Sequence, residues 1–252
     1  MNKKILSGST IKIIAVITMC IDHFGQVVLK NGVVMNAPYK FFSDAQFSAL
    51  LSIVDLCHML GRVAFPLFCY LLVEGFIHTH NLRRYILNLG LFAIVSEPIY
   101  DLTFYGSVFS SEGQNVLFTL LIGILTLTCI KKLNDNIWVA IFFNFISGSV
   151  AYILNLDGWY YGAIMITVMY MFRRHKFMKY LLTAVVMYLC ELDYSLKGLL
   201  DPYFWMALLS LFIMVLYNGQ RGMKIKYFFY IFYPGHLLFL YVLTTFIIVP
   251  QL

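Results

Sequence analysis

The chain has 252 residues, of which 61% are hydrophobic and only 12% are charged, and its mean hydropathy is +0.81. Soluble domains carry roughly twice that share of charged residues, so the composition excludes an ordinary soluble domain. The net charge of +6 does not indicate nucleic-acid binding, because the basic residues follow the membrane topology described below.

Apolar runs of about 20 residues recur along the chain, and each is long enough to cross a bilayer as a helix. Since no hydrophilic stretch is large enough for a second domain, we predict a single membrane domain over residues 1–252. The predicted fold is an all-α polytopic membrane protein with about nine transmembrane helices. In chain order these spans are residues 10–30, 46–77, 84–103, 114–130, 136–154, 158–172, 177–193, 200–217 and 227–249.

Three of the predicted spans contain proline. The second is too long for one straight crossing and includes Gly61 and Pro66, while Pro98 lies in the third and Pro234 in the ninth. A proline inside a helix removes one backbone hydrogen bond and clashes with the preceding turn. We therefore expect kinks in the second, third and ninth helices.

Lys and Arg residues indicate the orientation. They concentrate in alternate connecting segments, starting with the N-terminal one, whereas the other segments contain only Lys30, Lys40 and Lys197. Cytoplasmic loops of membrane proteins are enriched in Lys and Arg. We predict a cytoplasmic N-terminus and a C-terminus on the outer side.

Ionisable residues inside the predicted spans are the main functional signal. Such groups are costly in hydrocarbon unless they are paired or hydrated, so each one is a functional-site hypothesis. They are Asp22, His23, Asp55, His58, Arg62, Glu74, Glu97, Asp101 and His236.

The spacing of these residues places several on common helix faces. Asp55, His58 and Arg62 share one face of the second span. Glu97 and Asp101, four residues apart, repel each other unless a cation or a proton lies between them, and Arg62 and His23 are the candidates to neutralise them. Together with the prolines, these charges indicate a hydrated cavity between the first, second, third and ninth spans.

His23 is the best candidate for a general base. It lies about 20 Å along the first span, near the middle of the membrane, at roughly 1.5 Å per residue. A histidine at that depth favours its neutral form and can accept a proton near neutral pH. Asp22 points about 100° away, so we expect it to bind a neighbouring helix or to orient the site.

Other interpretations of the same residues remain open. Membrane histidines and aspartates often serve only as hydrogen bonds between helices. A proton-coupled transporter would use the same residue types and broken helices, and a non-catalytic partner in an envelope complex is a third possibility. His78 and His80 could resemble a metal site, but a surface role is favoured because Arg83 and Arg84 follow them. The five cysteines predict buried, reduced thiols.

The arrangement of motifs resembles the TraX family. The matching segments are Lys12-Ile13-Ile14-Ala15 with Met19 and Asp22-His23, Gly61-Arg62-Val63-Ala64-Phe65-Pro66-Leu67-Phe68, Glu74-Gly75-Phe76, Ser96-Glu97 with Asp101, Asn115 before Phe118-Thr119-Leu120, and Tyr233-Pro234-Gly235-His236-Leu237. The resemblance covers nearly the whole chain. One departure is the position of Pro98, which stands one place earlier than in the family pattern.

The resemblance implies a membrane-embedded acyltransferase that moves an acetyl or other acyl group from cytoplasmic acetyl-CoA to an acceptor at the outer face. It implies an amine or hydroxyl acceptor, on a peptide such as a pilin N-terminus or on a cell-envelope glycan. It also implies catalytic roles for His23, Asp22, Arg62, Glu97 and His236. The phosphates of acetyl-CoA would bind basic residues of the cytoplasmic loops, namely Arg83, Arg84, Lys131, Lys132, Arg173 and Arg174.

The remaining expectations follow from the same resemblance. Acetyl-CoA is expected as a donor substrate and no metal is expected. The protein is expected in the bacterial inner (plasma) membrane as a multi-pass protein, in contact with the lipid bilayer and its acceptor, without a nucleic-acid partner and with homo-oligomers possible.

Overall fold

The computed structural model describes residues 5–191, 196–223 and 226–252. Within these ranges every regular element is a helix. The helices are α1 (Gly8–His23), α2 (Asp44–Gly61), α3 (Ala64–His78), α4 (Leu82–Tyr105), α5 (Val116–Lys132), α6 (Ile137–Ile153), α7 (Trp159–Met171), α8 (Lys176–Glu191), α9 (Pro202–Val215) and α10 (Lys226–Val242). Short π- and 3₁₀-helical stretches complete the described secondary structure.

Two of the helices continue as π-helices. The chain after α1 is π-helical over Phe24–Val34, and the chain after α10 is π-helical over Leu243–Ile248. When α2 and α3 are counted as one interrupted segment, the described chain forms nine helical segments that fall at the nine predicted positions. The all-helical architecture is therefore confirmed.

Four segments are long and apolar enough to cross a membrane within the part of the chain that is described. They are Gly8–Val34, Asp44–His78, Leu82–Tyr105 and Phe228–Gln251. These segments carry the ionisable residues singled out above, so the membrane character of the site helices is supported. The number of crossings and the orientation stay predictions.

Proline affects the helices in different ways. The second segment is interrupted, since α2 ends at Gly61 and α3 begins at Ala64, just before Pro66. Helix α4 continues through Pro98 and α10 continues through Pro234. Kinks at the last two prolines stay predictions.

Local signals explain where several helices begin. The side chain of Ser7 accepts a hydrogen bond from the Thr10 amide at the start of α1, and Ser43 with Gln46 forms a capping box at the start of α2. Asn115 caps α5 in the same way. These residues satisfy amide groups that have no partner inside the helix.

Segments predicted to lie on the same side of the membrane contact each other. On the predicted cytoplasmic side, the Asn218 amide donates to the Leu6 carbonyl at 2.9 Å, and the Met223 amide donates to Oγ of Ser9 at 3.1 Å. On the predicted outer side, the Asp157 amide donates to the Gln114 carbonyl at 2.8 Å. The contacts agree with the predicted alternation of loops.

Helix packing brings the first and the last of the described helical segments together with α2, α3 and α4. Helix α1 packs against α2 and α3, α10 packs against α4, and α4 packs against α5. One extended core cluster joins these helices, with Ile11, Leu67, Phe76, Ile124 and Leu237 essentially inaccessible. The ionisable side chains of α1, α4 and α10 are thereby held by a packed apolar frame.

Gly61 allows the closest approach between α1 and α2. A methyl group at this position would overlap the side chain of Asp22. We expect Gly61→Ala to force the helices apart and to lower the melting temperature of the purified protein, because overpacking typically costs about 1–3 kcal/mol. Gly235→Ala is the matched control, since its added methyl group has no neighbour within 4 Å. Equal melting temperatures for the two variants would contradict the proposed contact.

Candidate functional site

Two histidines from opposite ends of the chain meet in the structure. Nδ1 of His23, the last residue of α1, lies 2.7 Å from Nε2 of His236 in α10. Their rings are nearly parallel, with centroids 5.0 Å apart and planes inclined by 6°. His236 is only 9% exposed. We call His23 and His236 the histidine pair.

The hydrogen bonds of the pair define which ring nitrogen is free to accept a proton. Nδ1 of His236 lies 3.0 Å from the carbonyl oxygen of Phe232, which can only accept, so this nitrogen carries a hydrogen. In a neutral His236 ring, Nε2 is then the acceptor, and His23 must donate to it from Nδ1. The Nε2 atom of His23 is left with its lone pair, as a general base requires.

Aromatic rings enclose the histidine pair. The His23 ring meets Phe104 edge-on at a centroid distance of 5.5 Å and Tyr233 at 6.5 Å. Phe232 stacks on His236 at 5.2 Å with an interplanar angle of 7°. These contacts fix the ring orientations that the hydrogen bonds define.

A second polar pair lies on the α2 side of the site. Oδ1 of Asp22 lies 2.8 Å from Nδ1 of His58, and both side chains are partly exposed. Asp22 therefore binds a neighbouring helix, as its position next to His23 predicted. The guanidinium of Arg62 lies over the ring of Tyr203 in α9, 5.4 Å from its centroid.

The two carboxylates of α4 receive hydrogen bonds from the segment that precedes α5. The Asn115 amide donates to Oε2 of Glu97 at 3.0 Å, and the Asn115 side chain also donates to that atom. The Ser110 amide donates to Oδ2 of Asp101 at 2.9 Å. Asn115 is fully buried and Asp101 is 1% exposed. Oε1 of Glu97 and Oδ1 of Asp101 have no hydrogen-bond partner.

Asp157 adds a carboxylate that the sequence analysis did not select. It lies in the short connection between α6 and α7, and its carbonyl oxygen accepts a hydrogen bond from the Thr119 hydroxyl. The residue as a whole is exposed to solvent. The protein packed around its carboxyl group nevertheless limits the hydration of the charged form, and this raises the pKa of Asp157 to about 6. The Asp22 carboxylate raises this pKa further, and the Arg62 guanidinium lowers it. Asp157 therefore belongs to the same charged group as Asp22 and Arg62.

A cavity of about 530 Å³ leads towards the histidine pair. We call it the polar cavity. Lys12, His80 and Arg221 line it near the predicted cytoplasmic side, and Met19 and Tyr233 line it at depth. Met19 is one helical turn before His23, while Tyr233 contacts the rings of both histidines. The cavity lies between the four segments that the sequence indicated, and α5 adds a wall.

The six basic residues predicted to bind the donor phosphates lie on the predicted cytoplasmic side, but the lining of the polar cavity contains none of them. Arg173 binds Asp135, with its guanidinium 2.5 Å from Oδ2. Lys131 lies over the Phe76 ring at 5.3 Å. The remaining four, Arg83, Arg84, Lys132 and Arg174, are exposed. Their role in donor binding stays a prediction.

Asp157, Asn115 and Tyr233 were not selected as site residues, although the last two lie in the matched motifs. Asp157 stands before Gly158, which has a left-handed φ of 90°, and this pattern is typical of a turn. Asn115 has the sequence signature of a helix cap, and its buried contact with Glu97 depends on tertiary packing. Tyr233 is one aromatic residue among many. Among the described residues, no group of three His, Cys, Asp or Glu side chains is placed to hold a metal ion.

Comparison with known proteins identifies the family. The family model described as TraX protein matches residues 7–244, nearly the whole chain. The chain belongs to the TraX family. It is also similar to the probable fimbrial assembly protein FimC, serogroup H1, of Dichelobacter nodosus, with 27% identity over 257 aligned residues covering 92% of this chain and 93% of the relative. No solved structure matches it.

The raised pKa of Asp157 predicts a pH-dependent stability in this TraX-family chain. A carboxyl with a folded-state pKa above its ordinary value of 3.8 stabilises the fold in its protonated form. This contribution is complete below pH 3.8 and is lost as the pH rises through about 6. Asp157→Asn removes this pH-dependent contribution to stability. As the pH increases across this range, the melting temperature of the mutant should therefore rise relative to that of wild type.

The measurement is thermal unfolding of purified wild type and mutant from pH 4 to pH 7, with Glu112→Gln as a control that removes an exposed carboxylate elsewhere. The charges that act with Asp157 are Asp22 and Arg62. Asp157 also interacts electrostatically with the hydroxyl groups of Tyr100, Tyr105 and Tyr233. A constant difference between wild type and Asp157→Asn at all pH values would contradict the raised pKa.

Proposed function

We propose that the protein is a membrane-embedded acyltransferase, which moves an acetyl group from cytoplasmic acetyl-CoA to an amine or hydroxyl acceptor at the outer face of the bacterial inner membrane. His23 is the general base. The observation that carries this proposal is the hydrogen-bonded chain from the Phe232 carbonyl through His236 to His23. It leaves one basic nitrogen on His23 and holds the ring in place.

Enzymes that activate a nucleophile use a similar series of hydrogen-bonded groups. A base accepts the proton of the attacking group, and a second group bonded to the far side of the base fixes its tautomer and orientation. Here His236 is the orienting group, and the Phe232 carbonyl orients His236 in turn.

The reaction step is an acyl transfer. The acceptor nitrogen or oxygen attacks the thioester carbonyl carbon and forms the new acyl bond, while Nε2 of His23 takes its proton. The carbon–sulfur bond then breaks, and the leaving sulfur of coenzyme A receives that proton from His23. The products are the acylated acceptor and the free thiol of coenzyme A, and His23 returns to its starting form.

The polar cavity supports the entry of the donor from the cytoplasmic side. Lys12 and Arg221 supply cationic side chains on its lining, suited to the phosphates of coenzyme A. From the level of Lys12 to that of His23, helix α1 rises by about 16 Å at 1.5 Å per residue, a distance that an extended pantetheine arm can cover. Tyr233 separates the end of the cavity from His23, so its side chain has to move aside when the donor binds.

The acceptor side of the proposal rests on other observations. Asp157 lies in a predicted outer loop and interacts electrostatically with Asp22, the neighbour of His23 in the chain, and with Arg62. The relative from Dichelobacter nodosus is named a fimbrial assembly protein, which supports a peptide acceptor such as a fimbrial subunit. A glycan hydroxyl would use the same base in the same way.

Substitution of His23 tests the base. We expect His23→Ala to lower acetyl transfer by about 100- to 10,000-fold, since general-base catalysis contributes that much. His236→Ala should also lose activity, while His236→Gln should retain more of it, because the glutamine side-chain oxygen can still accept the hydrogen from His23. The assay follows radiolabelled acetyl from acetyl-CoA to an amine acceptor. His175→Ala, at an exposed position before α8, is the control.

These variants also separate function from stability. If His23→Ala and His236→Ala lose transfer but keep the wild-type melting temperature, the histidine pair acts in the reaction and not in stabilising the fold. Wild-type turnover in purified His23→Ala would overturn the assignment of the base. Absence of transfer in wild type as well as in every variant, combined with proton-dependent uptake of a solute by wild type, would favour a proton-coupled transporter.

The sidedness of transfer is a separate prediction. In sealed proteoliposomes of known orientation, acetyl-CoA is supplied on the side of the basic loops and the acceptor only on the opposite side. Acetylated acceptor should form on the far side while coenzyme A is released on the near side, because both substrates approach a base near the middle of the membrane. If product forms only when both substrates are on the same side, the transmembrane route is wrong, whereas the proposed acyl transfer with His23 as base is unaffected.

A further inference from the structure

The seam between α1 and α10 contains a second cavity, open to the surroundings of the helix bundle. Its volume is about 680 Å³. Helix α1 lines it from Ile13 to Phe24, and Phe228, Phe229 and Phe232 line it from α10. Every lining residue is apolar. We call this cavity the α1–α10 groove.

The groove shares a wall with the polar cavity. Val16, Phe229 and Phe232 line both spaces. The ammonium group of Lys12, in the polar cavity, lies 4.8 Å from the centroid of Phe229. At the inner end, Phe232 stacks on His236. These shared side chains therefore lie between the groove and the proposed path of the donor, and Phe232 brings the end of the groove next to His236.

The position and shape of the groove favour a hydrocarbon chain as its occupant. Ile17 is 53% exposed and Phe228 is 56% exposed, on segments long and apolar enough to lie in the bilayer. Helices that pack in membranes approach through small residues such as glycine, alanine and serine. The groove is lined instead by isoleucine, valine and phenylalanine with one cysteine, which suits a thin flexible chain better than a partner helix.

The stacking of Phe232, a lining residue of the groove, on His236 indicates which hydrocarbon chain fits. A thioester held beside His236 would place its acyl carbons next to Phe232. An acetyl group ends there, but a longer acyl chain has to continue, and the polar cavity already has to hold the pantetheine arm. The adjoining apolar space is the α1–α10 groove. Its length along α1 is about 16 Å, enough for much of a fatty acyl chain.

We infer that the α1–α10 groove binds the hydrocarbon chain of a long-chain acyl-CoA, so that the protein accepts fatty acyl donors as well as acetyl-CoA. This inference rests on the proposed acyltransferase function and extends it to the class of donor. The anionic part of the donor occupies the polar cavity near Lys12 and Arg221, and the chain leaves through the shared wall at Phe232.

The test uses wild type, Ile17→Trp and Ile141→Trp in nanodiscs. Tryptophan at Ile17 fills the groove, whereas Ile141 is 55% exposed on α6, away from it. We expect the ratio of kcat/KM for palmitoyl-CoA to that for acetyl-CoA to fall at least about tenfold in Ile17→Trp, as for other changes in the size of an apolar pocket. Ile141→Trp should keep the wild-type ratio.

A labelling experiment tests whether the groove binds the acyl chain without requiring turnover. Palmitoyl-CoA with a photoreactive diazirine near the end of its chain should label the residues between Ile13 and Phe24 and those of α10 around Phe228. Ile17→Trp should lose this labelling and Ile141→Trp should keep it. Unlabelled palmitoyl-CoA should compete, but free palmitate and bilayer phospholipid should not.

The possible results separate the inference from the function on which it rests. Transfer from acetyl-CoA with neither use nor binding of palmitoyl-CoA would overturn the inference and leave the proposed function intact. Specific groove labelling without transfer from either donor would support chain binding and overturn the acyltransferase. Labelling spread equally over α6, or displaced equally by palmitate or phospholipid, would show that the groove holds ordinary bilayer chains and would overturn the inference.

Discussion

The hydrogen bond between His23 and His236 connects the first long helical segment to the last one, and the polar part of the structure is organised around it. In an apolar environment an imidazole without a partner is costly, so each ring stabilises the position of the other. The Phe232 carbonyl completes the series. Because a carbonyl oxygen can only accept, the direction of every donor in the series of neutral rings is determined, and this determines which nitrogen of His23 keeps its lone pair.

The remaining polar groups are stabilised by fewer and more local contacts. Glu97 and Asp101 receive hydrogen bonds from Asn115 and Ser110, which tie the C-terminal end of α4 to the segment before α5. Asp22 is bonded to His58 across the α1–α2 contact that Gly61 permits. Each carboxylate of α4 still has one oxygen without a hydrogen-bond partner. A buried polar atom without a partner is costly, so these two oxygens are the least well satisfied part of the polar frame.

The sequence predicted the helices well because hydrophobic runs and positive residues act locally. The nine helical segments, the choice of His23 and His236 as candidates, and a cavity between their helices all follow from signals that can be read along the chain. The partners of these groups do not. Nothing local indicates that Asp22 binds His58, that Asn115 bonds to Glu97, or that Asp157 in a turn joins the charged group, since each contact depends on which helices pack together. The π-helical stretch after His23 was also missed, because hydrophobicity does not distinguish a π-helix from an α-helix.

The histidine pair also has a consequence for biosynthesis. His23 and His236 are separated by 213 positions in the chain, so the pair can form only after the ribosome has made the whole stretch between them. At roughly 5–20 residues per second, His23 waits about 10–40 s for its partner. During that time its ring must bind water or another helix. A nascent or truncated chain without α10 therefore contains His23 but not the histidine that orients its ring, so the hydrogen-bonded pair cannot form in it.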